Sequence, residues 1–128
     1  MLSYSRNFPG VPPMAERAIV DLTHLARYTG GDRSLNSEVF KLFDQQTTEM
    51  VGRLRAVLEA RDAQSWKELT HTLKGAARGI GAFSFADACA QAEPLVSNLG
   101  SREVPGALDV LEAEAKAVQG FIKDYLAA

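Results

Sequence analysis

The last segment of the chain constrains the fold most. Val104, Leu108, Leu111, Ala115, Val118, Ile122 and Tyr125 follow one another at alternating steps of four and three residues, the spacing that keeps apolar side chains on one stripe of a helix. A stripe of that length must be covered by other helices, because packing of an amphipathic face stabilises such a helix more than its own propensity does.

The covering segments lie upstream. Val39, Phe43, Met50, Leu54 and Val57, with Thr47 filling a gap, predict a helix from Asp32 or Ser34 to Ala60. Trp66, Leu69, Leu73, Ala76, Ala77 and Ile80 predict a second, capped by Asp62 or Ser65 and ended by Gly79 or Gly81. Ser84 and Asp87 form an S-x-x-D capping pattern ahead of Phe85, Cys89, Ala92, Val96 and Leu99, which predict a helix reaching Gly100. A short helix carrying Leu22, Leu25 and Ala26 starts at Asp21 and stops at Gly30-Gly31. No stretch alternates as a strand does, and the connections are only a few residues long, which favours antiparallel neighbours. The expected fold is all-α: an up-down-up-down four-helix bundle with a short N-terminal cap helix, over residues 19–128. Pro9, Gly10, Pro12 and Pro13 make residues 1–18 a poor helix, expected to be a flexible tail or a packing arm.

Composition narrows the function. A net charge of −2 and a pI near 5.7 provide no global basic field to draw the chain onto nucleic acid or anionic membrane. One cysteine excludes an internal disulfide, and with two histidines it is poor material for a metal site. No apolar run approaches the roughly 18 to 20 residues of a membrane span, and the first residues lack a signal-peptide core, so the expectation is a cytoplasmic monomer. There is no G-x-x-x-x-G-K-[ST] loop for a nucleotide, and no cofactor is expected.

The stretch HTLKGAARGIGA, beginning at His71, is where chemistry concentrates. At about 100° per residue with Leu69 as zero, Trp66, Leu73, Ala76 and Ile80 fall within roughly 60°, whereas His71 falls at about 200°. Lys67, Lys74, Gly75 and Arg78 share that outward side, at roughly 140° to 240°. Clustered cations on one helical face repel one another unless an anion visits, and glycine in a helix interior costs about 1 kcal/mol relative to alanine. Gly75 also leaves room beside His71 for a partner's backbone. Neutral imidazole is a nucleophile near pH 7, and a phosphorylated imidazole carries charge that nearby cations offset, so the pattern suits a phosphoryl carrier.

If the helices on either side of Ala82 form an antiparallel hairpin, His71 and Glu93, each eleven residues from Ala82, lie at the same height. Glu93 falls at about 40° from Cys89 on its helix, at the edge of the buried stripe, and can accept a hydrogen bond from the Nδ1 proton of His71. Pro94 follows it, and a proline kink there either aims Glu93 or misplaces it.

The stretch resembles the signature of histidine-containing phosphotransfer (HPt) domains, roughly H-x-[LI]-K-G-x-x-x-x-[LIF]-G, at His71, Leu73, Lys74, Gly75, Ile80 and Gly81. The resemblance extends over about residues 21–126 and implies phosphorylation of His71 at Nε2, with no catalytic turnover by the domain itself. It implies partners as well: receiver domains of response regulators and of a hybrid histidine kinase. Lys74 then stands beside the phosphoryl group, Gly75 under the docking partner, and Glu93 where the family holds the imidazole; Arg78 stands where many members carry a small or polar residue. Two further readings are an interaction bundle that carries no phosphate and a chemotaxis-kinase-type domain phosphorylated directly by an ATP-binding kinase domain.

Overall fold

The computed structural model describes residues 17–128, among which five α-helices and one 3-10 helix account for all the regular structure. They are α1 (Leu22–Thr29), α2 (Arg33–Glu59), α3 (Ala63–Ile80), α4 (Phe83–Ala92), the 3-10 helix Glu93–Asn98, and α5 (Glu103–Ala127). The expected tail lies outside the described residues except at Arg17 and Ala18.

Three of the helices begin on an aspartate. The side chains of Asp21, Asp32 and Asp62 accept hydrogen bonds from the main-chain N–H groups of His24, Leu35 and Ser65, satisfying donors that the first turn leaves open. Ser65 also donates its hydroxyl to Asp62, and these bonds hold the Asp62 carboxyl below its ordinary range. Asp62, rather than Ser65, is therefore the cap of α3. Its terminator is Gly81, rather than Gly79, in the left-handed conformation at φ 84°. A side chain at Gly81 is blocked twice: the φ disfavours it, and a Cβ would sit 2.7 Å from the main-chain oxygen of Asp21.

The fourth segment departs from expectation at both ends. Ser84 does not cap it: α4 starts a residue earlier, after Ala82, with no side-chain cap. The turn at Gly81, Ala82 and Phe83 is buried, and the Asp21 N–H donates to the Gly81 carbonyl at 3.0 Å, so the helix begins in a dry corner under the cap segment. Asp87, expected in the capping pattern, is a buried carboxylate that accepts from the Arg17 guanidinium at 2.6 Å, with both side chains under 5% exposed. At the other end, α-helix gives way to 3-10 helix from Glu93, because Pro94 has no N–H to donate back to the Ala90 carbonyl.

The core follows the apolar stripes read from the sequence most closely in α3 and α5, whereas Val39, Met50 and Val57 of α2 and Val96 are only partly buried. Val104, Leu108, Leu111, Ala115, Val118 and Ile122 of α5 are all buried, as are Trp66, Leu69, Leu73, Ala77 and Ile80 of α3. Phe40, absent from the predicted stripe of α2, is fully buried and packs edge-on against Tyr125 at 4.9 Å. α2 packs on α3 and α5, and α4 packs on the same two helices, which closes a ring around this core. Contacts between α2 and α5 pair rising with falling residue numbers: Asn36 with Tyr125, Asp44 and Thr48 with Gln119, Arg55 with Asp109 and Glu112. These two helices are antiparallel. α1 lies across α2 and α3, with the half-buried ring of His24 edge-on to Phe83.

Candidate functional site

The outer face of α3 carries the site because its inner face is spent on the core. Leu69, Thr70 and Leu73 are buried on either side of His71 in sequence, and Thr70 folds its hydroxyl back onto the Trp66 carbonyl at 2.8 Å. His71 itself projects outward, its side chain 69% exposed. The rotation computed from helical periodicity is thus the rotation the helix adopts.

Glu93 reaches His71 from the junction of α4 and the 3-10 helix. Its Oε2 lies 3.1 Å from His71 Nδ1, and its Oε1 accepts from Lys74 Nζ at 2.6 Å. Both the Glu93 and Lys74 side chains are less than one-fifth exposed, so this pair lines the floor beside a much more open imidazole. The hydrogen bond from Lys74 holds the Glu93 carboxyl below its ordinary range; the bond to His71 adds to this, and partial burial opposes it. An ionised carboxylate only accepts hydrogen bonds, so the proton of this contact sits on Nδ1. In neutral imidazole that tautomer leaves Nε2 as the bare lone pair.

Of the residues expected at the site, His71, Lys74 and Glu93 are joined by direct contacts. Pro94 does not misplace Glu93. The Glu93 main chain stays helical at φ −58° and ψ −48° and still donates to the Cys89 carbonyl, so the chain changes course only beyond it.

Lys67 and Arg78 are exposed on the same flank; Lys67 borders a shallow depression with Gln64, Glu68 and His71. Arg78 stands seven residues from His71, about 10 Å along the axis. Gly75 is exposed, and a Cβ there would meet nothing within 4 Å. Packing among the described residues does not demand this glycine.

Two contacts went unread in the sequence. Lys74 was expected as an exposed cation, yet it is tied to Glu93; its angle of about 140°, the smallest of the basic residues, was the available signal that it borders the neighbouring helix. The Trp66 indole donates to the Ala92 carbonyl at 2.9 Å, and a lone tryptophan on a core stripe always raises the question of where its N–H goes. Cys89, beneath this floor, is fully buried, and burial pushes its thiol up to about 12. Among the described residues no three or more His, Cys, Asp or Glu side chains gather as a metal site, and no helix is long and apolar enough to cross a membrane.

The Hpt domain family model matches residues 38–121, a span that encloses all of α3, α4 and the 3-10 helix. Among solved structures, histidine-containing phosphotransfer protein B (HptB) from Pseudomonas aeruginosa PAO1 resembles this chain with a TM-score of 0.76 at 22% sequence identity, over 86% of this chain and 96% of that one. At that identity the likeness is one of fold. A comparison with curated proteins finds no match. The exposed histidine, its carboxylate partner and the helical frame therefore meet in one conclusion: the chain belongs to the Hpt domain family, the histidine-containing phosphotransfer proteins of two-component phosphorelays.

Proposed function

We propose that His71 accepts a phosphoryl group at Nε2 from the aspartyl phosphate of one receiver domain, that of a hybrid histidine kinase, and delivers it to the aspartate of another, in a response regulator. The observation that carries this reading is the 3.1 Å contact between His71 Nδ1 and Glu93, which leaves Nε2 bare on an open surface. In the forward step the Nε2 lone pair forms the N–P bond while the P–O bond to the donor aspartate breaks, and that carboxylate leaves with the electron pair. The ring gains positive character as the bond forms, with its proton still on Nδ1, and the Glu93 carboxylate offsets it. Lys74, held at the same carboxylate, lies one helical turn from the incoming phosphoryl charge. Gly75 clears the surface on which the receiver must come close.

The domain acts as a carrier in this scheme, without kinase activity of its own, as a cytoplasmic monomer. Its frame is the up-down-up-down four-helix bundle capped by α1; the closed ring of helices, the antiparallel α2 and α5, and the short connections support that topology. Mixing the protein with a phosphorylated receiver domain tests the reading. Acid-labile, alkali-stable phosphate should appear on the protein and disappear in His71→Gln. Transfer that survives His71→Gln would overturn it.

A further inference from the structure

α3 is joined to the junction of α4 and the 3-10 helix near the site both at the surface and in the core. The surface links are those of His71 and Lys74 with Glu93. The core link is the 2.9 Å hydrogen bond from the Trp66 indole to the main-chain carbonyl of Ala92, and both residues are fully buried. Trp66 lies on α3 five residues before His71, and Ala92 immediately precedes Glu93. Each link thus joins the same two stretches of chain.

The core link meets the chain where the helix changes type. Ala92 ends α4, and just beyond Glu93 the exposed Pro94 offers no main-chain N–H as the helix tightens to 3-10. The other bonds that fix the Glu93 side chain come from the exposed ring of His71 and the long, flexible chain of Lys74. Of the groups that grip this junction, the indole is the rigid and dry one, its position set by the core around it. Any large apolar side chain could fill the space; only the indole supplies a donor to the Ala92 carbonyl.

We propose that Trp66 is a positioning residue for phosphotransfer. Its N–H, by fixing the Ala92 carbonyl, sets the height and rotation of the adjoining Glu93 so that the carboxylate meets Nδ1 of His71. This rests on the reading of His71 as the phosphoryl carrier. It also separates Trp66 from a residue that only fills the core, because the two roles differ in what the single N–H does.

The test replaces Trp66 with β-(3-benzothienyl)alanine, which keeps the shape of the indole and puts sulfur where the N–H was. Trp66→Phe serves as a second variant, and circular dichroism checks that each is folded. Nitrogen-15 NMR of the His71 ring reports its tautomer, and phosphate uptake from a phosphorylated receiver is timed in the wild-type and Glu93→Ala backgrounds. The isostere should move the His71 ring signals toward a mixture of tautomers and slow uptake about fivefold, the size expected for the loss of one hydrogen bond. In the Glu93→Ala background the same replacement should change the rate by less than about twofold, since a residue acting through Glu93 has nothing left to position. Unchanged ring signals, or equal slowing in both backgrounds, would overturn the proposal. Wild-type protein that takes up no phosphate on His71 would sink the functional reading instead, and the ring signals alone would still decide what Trp66 does to Glu93.

Discussion

Glu93 gives one carboxylate oxygen to each of two neighbours, His71 at 3.1 Å and Lys74 at 2.6 Å. The shorter bond keeps the group ionised, and the ionised group sets the tautomer of the longer one. The lysine thus bears on the histidine through a carboxylate that touches both. This arrangement has a consequence for stability in acid. The Glu93 carboxyl in the folded protein lies below its ordinary value near 4.5, so its contacts stabilise the fold fully above that value and are lost as pH falls through the lower, folded one. Urea denaturation between pH 7 and pH 3 should show Glu93→Gln losing less stability on acidification than wild type. Because the group is at the surface edge, the difference should stay within about 1 kcal/mol. Equal acid slopes in the two proteins would show that the carboxylate is not held as described. The outward rotation of His71 and its contact with Glu93 were legible from periodicity and from counting residues on either side of Ala82, but the Lys74 to Glu93 bond was not. Periodicity gives the direction of a side chain, and a long one chooses its partner only once a second helix is beside it.

At the level of helices, α4 and the 3-10 helix form one apolar stripe that the sequence presents as a single helix from Ser84 to Leu99. Leu99 is buried as that stripe requires, yet the backbone changes type inside it, at the residue before Pro94. Proline disfavours helical geometry in its predecessor, but Glu93 keeps φ −58° and ψ −48° because its own N–H still bonds to Cys89. The change of helix type therefore leaves the Glu93 main chain helical, and Pro94→Ala should leave phosphotransfer within about twofold of wild type, since the bond it restores, from the residue 94 N–H back to the Ala90 carbonyl, reinforces a geometry Glu93 already has. A large loss of transfer would mean that the 3-10 turn itself aims the carboxylate. The starts of α1, α2 and α3 were readable because a polar cap is a local feature, one aspartate bonded three residues on. The start of α4 was not, because the burial of Gly81, Ala82 and Phe83 under the cap segment replaces a side-chain cap with tertiary contacts.

In the whole molecule, the segment leading into α1 is fastened to α4 by Arg17 and Asp87, two charged side chains under 5% exposed and seventy residues apart. Removing one member of a buried pair leaves the other's charge less well compensated, so Arg17→Ala should lower stability by about 3 kcal/mol in urea denaturation, and replacing both residues by leucine should recover most of it. A loss under about 0.5 kcal/mol would show that the pair is solvated and incidental. No local pattern announces this contact: Asp87 sits where a capping residue is expected, and Arg17 lies among residues expected to form a tail. The amino-acid sequence by itself determined α1, α2, α3 and α5, most of the stripe each one buries and the outward rotation of His71, because spacing along a helix is a local geometric property. Only the tertiary structure decided which polar groups meet: Lys74 with Glu93, Arg17 with Asp87, and the Trp66 indole with the Ala92 carbonyl. Those pairings depend on the distance between helices and on burial, which exist only after the ring of helices has closed.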